Sequence, residues 1–112
     1  MPLREAYEFY GTPRGAVSNY RNAYAVQSFA YTAEFDAVGA AGEIKIPALI
    51  VHSENALAPA LARKFFAGLA GPREEVWLTS VGQIDFYDDP ALINAASDAV
   101  GTFFRKIQQH RA

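Results

Sequence analysis

The residues able to do chemistry in this chain are few, and their spacing narrows what they could do. There are two histidines, His52 and His110, and five serines, Ser18, Ser28, Ser53, Ser80 and Ser97. None of the serines stands in the GxSxG frame that lifts a nucleophile onto a sharp strand-to-helix turn. The phosphate-cradling patterns GxGxxG and GxxxxGK[ST] are also missing from the sequence. With no cysteine, disulfides and thiolate-bound zinc or iron–sulfur groups are excluded. A metal site would have to rely on carboxylates, and neither metal nor cofactor is expected. One constellation remains. His52, Ser53, Glu54 and Asn55 follow one apolar run, and Gln83, Asp85, Tyr87, Asp88 and Asp89 follow the next. Polar groups of this kind could hold a ligand, and the carboxylates Glu54, Asp85 and Asp88 could activate water. The plainer reading is that loops at strand ends are polar and that Asp88 and Asp89 cap the helix that follows. His52 is poorly placed to serve Ser53 as a base, because adjacent strand residues point to opposite faces. A structural role at the strand end is expected for it, and His110 falls in a C-terminus expected to fray.

These positions matter only if the chain folds the two loops together, and the pattern from residue 44 onward does so. Ile44 to His52 is a nearly continuous apolar run, the mark of a parallel strand buried on both faces, with Pro47 near its start. Pro59 then opens a helical pattern with Leu61, Phe65 and Leu69 four apart and Gly71 as its stop. Glu75 to Val81 reads as a second strand. Asp89-Pro90 starts a helix running to about Gln109, with Leu92, Ala96, Val100, Phe103, Phe104 and Ile107 as its apolar stripe. Residues 44–109 therefore spell strand, helix, strand, helix, and two strands joined by one helix must be parallel. In open parallel sheets ligands bind at the C-terminal ends of the strands, where the polar cluster lies. Residues 3–43 read as mostly helical: an amphipathic piece over 3–10, a loose helix over 16–30 and a turn over 35–38. Tyr7, Tyr10, Tyr20, Tyr24 and Tyr31 in this half suit either a core or an interface.

Composition sets the outer limits. A chain of 112 residues, 51% hydrophobic and 20% charged, makes one small globular domain over 1–112. No apolar stretch approaches the roughly 18 residues of a membrane span. Met1-Pro2-Leu3-Arg4-Glu5 lacks the apolar centre of a signal peptide, which makes the cytoplasm the default compartment. The net charge of −2, with Lys and Arg scattered, gives no footprint for nucleic acid.

Residues 44–106 resemble the C-terminal end of α/β-hydrolases, in particular the dienelactone-hydrolase-like group. The resemblance is carried by Ile46-Pro47-Ala48-Leu49-Ile50-Val51-His52-Ser53-Glu54-Asn55, by Phe65-Phe66, and by Gly71-Pro72-Arg73-Glu74-Glu75-Val76-Trp77-Leu78. Its most distinctive part is Gln83-Ile84-Asp85-Phe86-Tyr87-Asp88, which looks like the family's His-x-Asp-x-Tyr-Asp segment. Gly101-Thr102-Phe103-Phe104 is similar to part of the family's last helix, and residues 3–43 to the helical segment before the penultimate strand.

The resemblance implies a truncated α/β-hydrolase-like domain of class α/β, with N-terminal helices followed by a βαβα unit. It also marks the departures. Gln83 stands where the family has its catalytic histidine, and glutamine cannot act as a general base. Asn55 stands at the acid position, with Glu54 beside it as a possible substitute. The nucleophile elbow and the oxyanion-hole segments of the family have no counterpart. The family's sheet has about eight strands, within the range of open α/β sheets, and two strands alone leave edges unpaired. The expectation is a non-catalytic remnant acting as an oligomeric binding module. It would be a homodimer or the partner of a separately encoded N-terminal half, with His52, Ser53, Asp85, Tyr87 and Asp88 as ligand-binding candidates. The alternative is an ester or lactone hydrolase that needs a partner or works through Glu54 and Asp85. A piece of a longer enzyme would carry the same features.

Overall fold

Local chemistry sets the elements in the computed structural model, which describes residues 3–21 and 23–110. They are α1 (Leu3–Tyr10), α2 (Phe29–Glu34), β1 (Ala48–His52), α3 (Pro59–Gly68), β2 (Arg73–Trp77), α4 (Asp85–Asp88) and α5 (Pro90–Gln109). Short 3-10 turns occupy Val26–Ser28 and Gly39–Glu43. The expected single domain over 1–112 extends past the described residues at both ends. The class is mixed α/β. Among the described residues the sheet is a parallel pair, β1 beside β2, with Ala48 opposite Arg73 and His52 opposite Trp77. Helices α3 and α5 both pack on β1.

The second half keeps the expected order, but its boundaries move for identifiable reasons. Helix α5 begins where Asp89 accepts a hydrogen bond from the Ala91 amide (2.9 Å) and Pro90 takes the first helical position. Its buried residues are Leu92 and Phe103, eleven positions or three turns apart, on one face. Val100 and Phe104 of the same stripe stay exposed. Strand β1 begins only after Pro47, and β2 covers Arg73–Trp77 rather than 75–81. Gly71 accounts for that shift. Helix α3 stops at Gly68, three residues before Gly71, so the glycine does not cap it. Instead, the Gly71 amide donates to the Ile44 carbonyl (2.9 Å) at the foot of the sheet. A Cβ there would lie 2.5 Å from the Lys45 carbonyl oxygen and 2.7 Å from that of Ile46. This close backbone approach aligns the two strands and sets their register earlier in sequence than hydrophobicity suggests.

The first half departs more. Helix α1 matches the amphipathic piece over 3–10. The described part of 16–25 carries no helix, and α2 occupies only the end of the segment expected to be helical. Asn22, inside that segment, lies outside the described residues. Tyr7, Tyr10, Tyr20, Tyr24 and Tyr31 are all exposed, so they are not core. Strand β1 is half-buried along its whole length rather than enclosed on both faces. Among the described residues the buried apolar ones are Ala41, Leu69, Ile84, Leu92 and Phe103. The radius of gyration is 16.7 Å, against about 13 Å for a compact domain of this length. The accessible surface of 8345 Å² exceeds by about 2,000 Å² that of a folded monomer of the same mass.

Two backbone positions give a paired test. Ala58, ahead of Pro59, sits in the left-handed region (φ 52, ψ 55), which costs an L-residue on the order of 1–2 kcal/mol. Ala58→Gly is expected to raise the unfolding free energy by roughly 0.5–1 kcal/mol after the added freedom of the unfolded chain is counted. Gly71→Ala is expected to lower it by about 2–3 kcal/mol through overpacking against backbone. Urea unfolding of both variants measures this, and shifts of the same sign would contradict the assignment.

Candidate functional site

The polar loops after β1 and β2 do meet, and side chains join them. Ser53 is 1% exposed. Its Oγ accepts a hydrogen bond from Ser80 Oγ (2.8 Å) across the two loops and another from the Asn55 amide (3.2 Å). Asn55 in turn donates from Nδ2 to the Ser80 carbonyl (2.8 Å). Farther along, the Leu57 amide donates to Gln83 Oε1 (3.0 Å), and Gln83 Nε2 donates to the Tyr87 hydroxyl (3.4 Å). Buried polar groups must be paired to be tolerated, and here each loop supplies the other's partners. No buried side-chain nitrogen or oxygen among the described residues is left without one.

The carboxylates are engaged as well. Asp85 opens α4 and accepts from the backbone amides of Val81 (2.6 Å) and Gly82 (3.2 Å), folding its loop back on itself. Glu54 pairs with Arg63. Asp88 was a candidate cap for α5, but Asp89 does that work. Asp88 instead takes both Nε and Nη2 of Arg14, the latter at 2.8 Å. Those hydrogen bonds hold the Asp88 carboxyl below its ordinary range, against a smaller opposing effect of desolvation.

His52 lies apart from this network. Its Nδ1–H donates to the Ser53 carbonyl (2.8 Å), and its ring packs 5.2 Å from that of Trp77. The Arg63 guanidinium sits 3.8 Å above the Trp77 ring. His52 makes no bond to Ser53 Oγ, whose partners are Ser80 and Asn55. Of the residues expected at the site, Ser53, Asn55, Gln83 and Tyr87 join the bridging network. Asp85 folds its own loop, and Asp88 is drawn to Arg14. His52 and Glu54 belong to a neighbouring cluster with Trp77 and Arg63.

Sequence reasoning missed the contribution of the N-terminal segment. Glu5 on α1 accepts the Ile84 amide (2.6 Å), and Gly82 leaves room for its carboxylate. Phe9 meets Tyr87 edge-on at 5.5 Å between centroids. A cleft of about 300 Å³ between α1 and the loop after β2 is lined by Arg4, Glu5, Glu8, Arg14, Val81, Gly82 and Asp85. No local pattern marks Glu5 or Arg14, since their partners lie more than seventy residues away.

The hydrogen bonds brace the two loops. Acyl transfer needs a nucleophile, a base within hydrogen-bond reach and an orienting group, and among the described residues neither the Ser53 nor the Ser80 hydroxyl is bonded to a histidine or a carboxylate. Ser53 and Ser80 are bonded to each other and to amides, and Asn55 and Gln83 carry no titratable proton. A carboxylate acting as base works best with a raised pKa, and Asp88 is moved the other way. Among the described residues no group of three His, Asp or Glu side chains could hold a metal ion, and no helix is long and apolar enough to cross a membrane. No family model, curated protein or solved structure matches the chain.

Asn55→Ala and Gln83→Ala are each expected to cost on the order of 1–2 kcal/mol of stability, because each strips a partner from a loop amide or carbonyl. Chemical denaturation measures the loss, and two variants as stable as wild type would remove the bracing role. The Arg14–Asp88 pair adds a pH test. A depressed carboxyl pKa stabilises the fold above the unfolded value of about 3.9 and loses that effect as pH falls through the folded value. The stability difference between wild type and Asp88→Asn is therefore expected to favour wild type at pH 7 and to shrink as pH falls below about 3.9. A difference that stays constant across that range would contradict it.

Proposed function

We propose that this chain is a degenerate, non-catalytic remnant of an α/β-hydrolase-like domain that acts as an oligomeric binding and interaction module. The observation that carries the reading is the use made of Asn55 and Gln83. These are the positions the family resemblance assigns to the acid and the histidine of a triad. Both side chains here are spent on backbone groups of the opposite loop, Asn55 on the Ser80 carbonyl and Gln83 on the Leu57 amide. They brace the strand ends where a hydrolase would keep its base free to move a proton. The extended surface supports the second half of the reading. Among the described residues sixteen large hydrophobic side chains, with Tyr31 81% and Val81 91% exposed, lie open; where such side chains are contiguous they suit an interaction surface.

The alternative, a hydrolase using Glu54 and Asp85 to activate water, would need those carboxylates freed from Arg63 and from the 81–82 amides. A panel of p-nitrophenyl esters and lactones separates the two. The expected result is hydrolysis no faster than the buffer rate, unchanged in Glu54→Gln and Asp85→Asn. Turnover that disappears in either variant would overturn the non-catalytic reading.

A further inference from the structure

The two edges of the sheet differ, and the difference selects an interaction surface. In a parallel pair each strand turns alternate residues toward its neighbour. The Ala48 amide donates to the Pro72 carbonyl (3.0 Å) and the Leu78 amide to the His52 carbonyl (2.8 Å), so Ala48, Ile50 and His52 face β2. Leu49 and Val51 turn their N–H and C=O groups to the other side. Among the described residues no strand lies there and no loop residue bonds them. That edge reads Ala-Leu-Ile-Val, without charge or proline. The free edge of β2 presents Arg73, Glu75 and Trp77, two of them charged, and Glu74 is paired to Lys106. Charges of that kind are how edge strands avoid pairing. One edge of the sheet is closed chemically and the other is left to be paired.

We propose that the occupant of the β1 edge is β1 of a second copy of this chain, running antiparallel about a two-fold axis at Ile50. This rests on the oligomeric reading above and specifies its interface. The edge is self-complementary in that register. Leu49 faces Val51 of the second copy and Val51 faces its Leu49. All four residues present outward N–H and C=O groups, so each facing pair exchanges two hydrogen bonds. Ile50 meets its own counterpart at the non-bonded position between them. A two-fold interface requires this self-matching, and the resulting order β2-β1-β1-β2 leaves only the charged edges outside. The accessible surface of the whole chain exceeds that of a compact monomer by about 2,000 Å², which leaves room for the roughly 800 Å² per partner that a standard interface buries. A net charge of −2 adds little repulsion between copies.

The chain has no cysteine, so single substitutions report the register cleanly. At a non-bonded antiparallel pair the Cα atoms lie about 4.5 Å apart, inside the span of a disulfide. Ile50→Cys is expected to give a covalent dimer under mild oxidation. Leu49→Cys, whose counterpart lies beyond the roughly 7 Å limit, is expected to stay reduced. Val51→Pro removes an outward donor and none to β2, so it should keep the circular dichroism of the wild type while moving its sedimentation mass from dimer to monomer. A dimer in which Ile50→Cys stays reduced, in which Leu49→Cys cross-links equally, or which survives Val51→Pro overturns this interface and leaves the oligomeric reading standing. A wild-type chain that sediments as a monomer up to 100-fold above micromolar concentration, on the order of 10⁻⁴ M against interface affinities in that range, overturns both. A monomer that pairs only with a chain carrying a GxSxG half would point to the heterologous partner instead.

Discussion

The ladder between β1 and β2 is the constraint on which the other elements depend. It is five residues long, and its alignment is set at one end by the contact of Gly71 with the carbonyls of Lys45 and Ile46. At the other end it delivers two loops side by side, which then bond through Ser53, Asn55, Ser80 and Gln83. Helices α3 and α5 pack on β1, and the N-terminal segment reaches the assembly through Glu5 and Phe9 of α1 and through Arg14 beyond it, at the loop after β2 and at α4. A two-stranded sheet is marginal by itself. The polar bracing at its C-terminal end and the close backbone approach at its start hold the described pair together.

Strand-end polarity in α/β folds commonly marks a ligand site, and here the same groups close hydrogen bonds between the two loops. A buried serine pair and two amide side chains suit that work, because they donate and accept without carrying charge. The charged residues stay at the margin, Glu54 with Arg63 over Trp77 and Asp88 with Arg14, where water screens them and each pair contributes little to stability.

The order strand, helix, strand, helix was legible in the sequence because each element carries its own signal. Pro59 and Asp89-Pro90 mark helix starts, and Ala48–Val51 is apolar throughout. The register was not legible. Val76 to Val81 looks like the better strand, and what moves β2 to Arg73–Trp77 is a backbone contact of Gly71 that no side-chain pattern reports. Helix α4 was missed because four residues show no periodicity. It is held by Asp85 folding onto residues 81–82 and by Glu5 from the far end of the chain. In the site, the proximity of the two loops followed from parallel strands alone. The uses of Asn55 and Gln83 depend on where the loop amides point. The tyrosines of the first half could not be assigned from spacing, because their amphipathic rings suit a core or a surface equally.

The outer edge of β1 carries unpaired backbone groups within one copy of the chain, and the proposed dimer completes it with a second. Amide hydrogen exchange read residue by residue on the wild type tests it most directly. Leu49 and Val51 make no ladder bond within one copy, whereas Ala48, Ile50 and His52 face β2. The expected result is that Leu49 and Val51 are protected nearly as well as those neighbours at high concentration and lose protection on dilution. Fast exchange of Leu49 and Val51 at every concentration, beside slow exchange of Ile50, would contradict it.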